Sequence, residues 1–452
     1  MGALLSLFVA MAHTPRLHFA QSPAAIRIRK EHSSTHGETP TLSALVASQC
    51  PSLFTRFRPA WWLSSGHLQT FYSAIGDFSN IDKVEYDRTL LRTVDGGTLG
   101  LDFTGPADPS ELPADTPVVV VLHGLTGGSH ESYVRAILAP ACTPVVQGGL
   151  GYRAVVVNFR GCAGVPLTSP RLYSGGTTDD IRTALMYISA TYPGAPLLGV
   201  GFSLGANVLV RYLAEEGDQS RLNAGCVLGS PWNFPANIDA LESTFFRRTV
   251  YSRSLGQNLV TLMKRHLNSL SKFPDAPMTQ AMAAVATMNR PLLTTFDDTM
   301  TRLCGGPSPP FPFPSGRDYY VWASGHDLLP KIRVPLLAIN AADDPLVPML
   351  PVDTGNAALS PWVVFSVTEG GGHLGWFEQA SRFSAKRWIT KPVLEWMKLV
   401  GNVVADTRRM KSLREADGFT KEEGRDDIGY VKVEGGGHVV GVEGQDGLLA
   451  GL

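Results

Sequence analysis

Apolar and polar positions fall into two rhythms along this chain, and they alternate. Pro117 to Leu122, Ala154 to Val157, Leu197 to Val200 and Cys226 to Leu228 are short unbroken apolar runs of the kind that form strands buried on both faces. Between them the spacing is helical: after Thr178-Asp179-Asp180, a helix start, Ile181, Ala184, Leu185 and Ile188 share one face, and Ala206, Val208, Leu209, Tyr212 and Leu213 mark another helix. Strand and helix in turn predict an α/β fold with a mostly parallel, doubly wound sheet. Two further strands, Val334 to Asn340 and Trp362 to Val367, and an amphipathic helix from about Lys391 to Val403 close the core. Upstream, Lys83 to Thr93 and Thr98 to Phe103 flank Asp95-Gly96-Gly97, which predicts an antiparallel hairpin.

The remaining stretches divide the chain into five parts. Residues 1–50 read as a targeting or flexible segment. Residues 51–232 hold an arm, rich in aromatic residues up to Asp77, and the first part of the core. Residues 233–330 break the rhythm with helical patches such as Ser254 to Leu267 and a proline-rich loop from Gly306 to Pro314, as an inserted helical cap would. Residues 331–405 complete the core, and the charged, glycine-rich residues 406–452 read as a flexible tail.

One strand-to-helix junction carries chemistry. Gly201-Phe202-Ser203-Leu204-Gly205 sits between a buried strand and a helix, the context in which a Gly-x-Ser-x-Gly elbow exposes its serine at the end of a sheet. Later strands lead into Ala342-Asp343-Asp344-Pro345 and Gly371-Gly372-His373, so that serine, acid and histidine follow in the chain order of an α/β-hydrolase triad. Asp344 is taken as the acid over Asp343, because the residue before a proline is held extended and Asp343 is better placed for loop hydrogen bonds. His438, which also follows three glycines, has no acid loop before it and is set aside. The expected oxyanion donors are the N–H groups of Leu204, at the helix start, and Leu125, in His123-Gly124-Leu125-Thr126. His123 and Arg160 read as loop-fixing residues, and Glu378 and Asp327 as surface or capping residues.

Composition narrows the partners. The chain has 452 residues, 17% of them charged, and a formal net charge of −1, which gives no basic surface for nucleic acid. Five cysteines without a Cys-x-x-Cys pair indicate reduced thiols in an intracellular protein, whether cytoplasmic, membrane-associated or mitochondrial, and no zinc site. No cofactor or metal is expected. Residues 2–12 are apolar but too few to span a bilayer; a mitochondrial presequence, a short membrane-dipping anchor, a signal-peptide core, a myristoylated end and a disordered end all fit them.

Seven blocks in order, Gly66-His67-Leu68-Gln69-Thr70, His123 to Gly128, Asn158 to Cys162, Gly201 to Asn207, Asp318-Tyr319-Tyr320, Asp343-Asp344-Pro345 and Gly371-Gly372-His373, resemble the AB hydrolase 4 family over about Pro51 to Val403. That family includes bacterial esterases, animal membrane-anchored phospholipases and yeast medium-chain fatty acid ethyl ester synthase/esterases. The resemblance implies Ser203 as nucleophile, Asp344 as acid and His373 as base. It implies a serine esterase or acyltransferase acting on medium-chain acyl esters or thioesters, with water or an alcohol as acceptor and peripheral membrane or lipid-droplet contact allowed. The apolar run at the start is shorter than the membrane helix of the animal members, and the tail beyond Asp406 has no counterpart role. A non-catalytic hydrolase-fold protein that binds a lipid or a partner is the competing expectation.

Overall fold

The computed structural model describes residues 13–29, 39–104, 112–353, 355 and 360–440. The apolar run 2–12 lies outside them. Strands β1 (Arg16–Phe19), β2 (Glu85–Thr93), β3 (Thr98–Thr104), β4 (Val118–Leu122), β5 (Arg153–Asn158), β6 (Leu197–Phe202), β7 (Ala224–Leu228), β8 (Leu336–Ala341) and β9 (Val363–Thr368) belong to one large sheet. A separate two-stranded ribbon joins β10 (Phe377–Ser381) to β11 (Ser384–Arg387). Three more strands, β12 (Leu413–Ala416), β13 (Phe419–Glu422) and β14 (Arg425–Val440), extend the large sheet to the order β1-β9-β8-β7-β6-β4-β5-β3-β2-β14-β13-β12.

The five pairings from β5 to β9 are parallel, and every residue of β4 to β9 is buried, which is why those strands read as continuous apolar runs. Helices cover both faces. One face packs Val120, Val157, Leu209 and Phe365 into a core, and the other packs Val121, Val156, Phe202 and Trp396. Residues 234–331 are mostly helical, interrupted by the loop 305–315, and build an apolar cluster around Val260, Met263, Met282 and Phe296.

Two expectations are corrected here. Residues 413–440 are not a loose tail: β14 pairs antiparallel with β2 from Tyr430 opposite Thr93 to Val440 opposite Glu85. The open edge of β2 supplies unpaired backbone groups, and Gly435 and Gly437, with φ of +104° and +142°, take up the bulge that lets a glycine-rich strand follow it. Tyr430 adds an edge-on contact with Tyr187, and Arg425 and Arg221 pair with Glu216 and Glu422. Residues 13–29 and 39–50 are likewise packed: β1 pairs antiparallel with β9, and the helix Leu42–Gln49 buries Leu42, Leu45 and Val46.

Candidate active site

Ser203 stands between the end of β6 and the helix Leu204–Glu216, with φ +49° and ψ −116°. A non-glycine residue in that conformation is strained, and the surrounding packing holds it there. A Cβ on Gly201 would come within 2.6 Å of the Ala206 Cα, and one on Gly205 within 2.5 Å of the carbonyl oxygens of Leu122 and His123. The elbow is therefore a steric requirement on both sides of the serine.

Two further chain segments converge on it. His373 Nε2 lies 2.8 Å from Ser203 Oγ, and His373 Nδ1 lies 2.7 Å from Asp344 Oδ2. Asp344 Oδ1 accepts the N–H groups of Leu346 and Val347, at 2.8 and 3.0 Å, which leaves its other oxygen aimed at the imidazole. A carboxylate can only accept, so the imidazole proton belongs on Nδ1 and the Nε2 lone pair faces the serine hydroxyl. The arrangement can pass the hydroxyl proton to the imidazole while the carboxylate stabilises the charge that results. His373 and Asp344 are fully buried, which strengthens that attraction.

The first sequence block contributes a brace. Thr70 Oγ accepts the His373 N–H at 2.8 Å and donates to the Gly66 carbonyl, while Gln69 clamps the Phe377 backbone from both sides. Asp343 accepts the Gly372 N–H at 2.9 Å, and burial pushes its carboxyl up to about 6. The sequence placed Gln69 and Thr70 in a block without a role, and only the fold brings them against the histidine loop, whereas Asp343 makes a loop hydrogen bond. His438 is on β14, eight strands from β9 in the sheet.

The loop after β4 is fixed from within. His123 accepts the Phe159 N–H on Nε2, so its Nδ1 proton goes to the Gly124 carbonyl at 2.7 Å; burial lowers its pKa to about 4 and keeps it neutral. Arg160 is buried and spans Asp95 in the hairpin turn and Asp180 at the helix start, at 2.6 and 2.7 Å. Glu378 is at the surface beside Lys391, and Asp327 lies beside His326.

Leu125 and Leu204 line the same cavity as Ser203 and His373. It is partly open to solvent, and Phe234, Ile238 and Leu255 give it apolar walls. Among the described residues there is no cluster of His, Cys, Asp or Glu suited to a metal ion, and no helix long and apolar enough to cross a membrane.

A strained serine at the end of a buried parallel strand, with an acid and a histidine in loops after two later strands, defines the α/β-hydrolase class. The chain belongs to the alpha/beta hydrolase family, which matches residues 119–386. It is 30% identical over 419 residues to "Monoacylglycerol lipase" of Saccharomyces cerevisiae, covering 84% of this chain and 88% of the relative. It is 29% identical to human "Phospholipase ABHD3", covering 83% and 86%. It is 28% identical to yeast "Medium-chain fatty acid ethyl ester synthase/esterase 2", covering 75% and 85%. The last two are of kinds that the sequence blocks imply.

Proposed function

We propose that this chain is a carboxylic ester hydrolase that works through an acyl ester on Ser203. The observation that carries the reading is the continuous line from Ser203 Oγ through the His373 imidazole to Asp344, with both spacings at hydrogen-bond length. Ser203 Oγ attacks the substrate carbonyl carbon as its proton passes to His373 Nε2. The tetrahedral oxyanion takes hydrogen bonds from the N–H groups of Leu125 and Leu204, the second at a helix N-terminus, each worth about 3 kcal/mol. The C–O bond to the alcohol then breaks, and the leaving oxygen takes the proton from His373. Water repeats the sequence in reverse roles: it gives a proton to His373, attacks the acyl carbon, and Ser203 leaves with the proton returned.

The apolar cavity walls favour acyl esters or thioesters of medium chain length, and the ethyl ester synthase/esterase among the relatives supports transfer to an alcohol as a second outcome of the same acyl-enzyme. Contact with a lipid surface fits Phe245 and Phe246, which lie beyond the cavity-lining helix Phe234–Glu242 beside Arg247 and Arg248. Phe245 is 86% exposed. Five free cysteines suit an intracellular placement.

Labelling with a fluorophosphonate probe tests the reading. Stoichiometric labelling of the wild type, absent in Ser203→Ala, is expected; an unlabelled wild type would leave the non-catalytic binding protein in its place. Incubation of a medium-chain thioester with and without ethanol, read as acid against ethyl ester, then measures how the acyl group divides.

A further inference from the structure

A second cavity lies beyond the first and shares Leu125, Leu204, Phe234, Ile238 and Leu293 with it. Neither Ser203 nor His373 lines it. Its walls are apolar where the helix Arg253–Arg265 contributes Leu259, Leu262 and Met263, but one part of its lining is not. Asp297, only 6% exposed, reaches the cavity with Thr301 and Tyr320, and both hydroxyls donate to its carboxyl, Tyr320 at 2.7 Å.

The two cavities are not equivalent for an ester that reacts at Ser203. The leaving oxygen must receive its proton from His373, so the alcohol portion belongs at the end of the first cavity that carries His373, Leu346 and Val347. The acyl chain departs from the other side of the carbonyl, towards Leu125 and Leu204, and these two residues are where the second cavity begins. We propose that the second cavity takes the acyl chain and that Asp297, with Thr301 and Tyr320, forms a polar floor that limits its length. This rests on the ester hydrolase reading.

The floor limits length because apolar burial and polar desolvation oppose each other there. Each methylene that enters the cavity leaves water, a gain of up to about fourfold in kcat/KM. A methyl end pressed on the floor offers the carboxyl no hydrogen bond while shutting out water, which is unfavourable. Burial raises the Asp297 pKa to about 6, so an apolar neighbour already costs this group. A chain that ends in a hydroxyl meets the same carboxyl with a donor.

The wild type gives the first test, with esters of one leaving alcohol and acyl chains of increasing length, each in methyl-ended and ω-hydroxy form. The methyl-ended series is expected to rise and then stop rising; below that length the methyl-ended ester is the better substrate, and at it the ω-hydroxy ester overtakes it by about tenfold. A matching series varied on the alcohol side should show no such crossover. Two variants give the second test. Leu262→Trp, which fills the cavity, should lower the octanoate-to-acetate ratio of kcat/KM at least tenfold, and Asp297→Leu should move the plateau to longer chains. Crossover on the alcohol side, or an acyl profile without crossover in wild type, would overturn the proposal even if both variants failed to fold. Fluorophosphonate labelling of the wild type separates the outcomes: a labelled, ester-cleaving enzyme with an unmoved acyl profile sinks only the floor, and an unlabelled, inactive one sinks the hydrolase reading.

Discussion

Gly66 and Asp343 are in direct backbone contact: a Cβ on Gly66 would stand 1.9 Å from the Asp343 carbonyl oxygen. That contact joins the helix Gly66–Ile75 to the acid loop, and the same helix holds the His373 N–H through Thr70. Gly66→Ala must push the two apart. Displacing the imidazole by about 1 Å costs on the order of 100-fold in rate. The variant should therefore lose kcat far more than KM while keeping its fold, as read by steady-state kinetics beside circular dichroism. Equal kcat in variant and wild type would show that the brace does not position His373.

Substitutions in the proposed triad should differ in kind. Ser203→Ala removes the nucleophile, and a loss of on the order of 10⁵-fold or more in kcat is expected on a chromogenic ester, with no fluorophosphonate adduct. Asp344→Asn replaces an acceptor that fixes the tautomer, and about 10⁴-fold is expected. Asp343→Asn keeps an acceptor for the Gly372 N–H and should lose less than tenfold. If Asp343→Asn were the more damaging of the two, the acid would be reassigned.

Stability should carry the mark of Asp297. Its folded pKa of about 6 lies above the ordinary carboxylate value, so between about pH 4 and 6 the folded state holds more protons than the unfolded chain. The contribution of this group is therefore most favourable below pH 4 and is lost as the pH rises through 6. Urea unfolding at a series of pH values should give a flatter profile for Asp297→Asn than for wild type in that window. Parallel profiles would mean that the carboxyl is not buried in its acid form.

Lipid contact has its own readout. Phe245→Ser with Phe246→Ser should reduce binding to anionic phospholipid vesicles and hydrolysis of vesicle-borne esters at least fivefold, and soluble short-chain esters should be far less affected. Because the Phe246 ring packs on His67 and Tyr251 at 5.3 and 6.1 Å, Phe245→Ser alone serves as the control for local repacking. Unchanged vesicle binding in both would remove this face from consideration.

Ending the chain at Lys411 would strip β12 to β14 from the sheet and uncover β2. The expected result is a lower unfolding midpoint and concentration-dependent association, seen by calorimetry and light scattering. A truncated protein as stable and monodisperse as the full chain would make these strands dispensable.

What the sequence made legible was local. The elbow at Ser203 needs two glycines within two residues, and a buried parallel strand needs an apolar run, so both are written within short windows. The strands at the end were legible too, in part: Asp417-Gly418 sits between Leu413-Arg414-Glu415-Ala416 and Phe419-Thr420-Lys421-Glu422, a hairpin signal, and both turn residues have positive φ. Overall glycine and charge content masked it. Thr70 and Asp297 were out of reach for a different reason. Their surroundings come from segments hundreds of residues apart or from the irregular helices of 234–331, where no fixed spacing links a residue to the cavity it faces.

The edges of β2 and β9 would each be open to pairing with another chain if left bare. Each is instead bordered by pieces from the ends of the chain: β1 lies on β9, and β14, β13 and β12 build outwards from β2. The terminal strands have four residues each, with Arg16 on one side and Arg414 with Glu415 on the other, and residues 431–440 of β14 reach past β13 with Lys432, Glu434 and three glycines. A neighbouring molecule meets short strands at the two ends of the sheet and, past β13, a strand broken by a glycine bulge and marked by Lys432 and Glu434, which hinders sheet-to-sheet polymerisation into filaments.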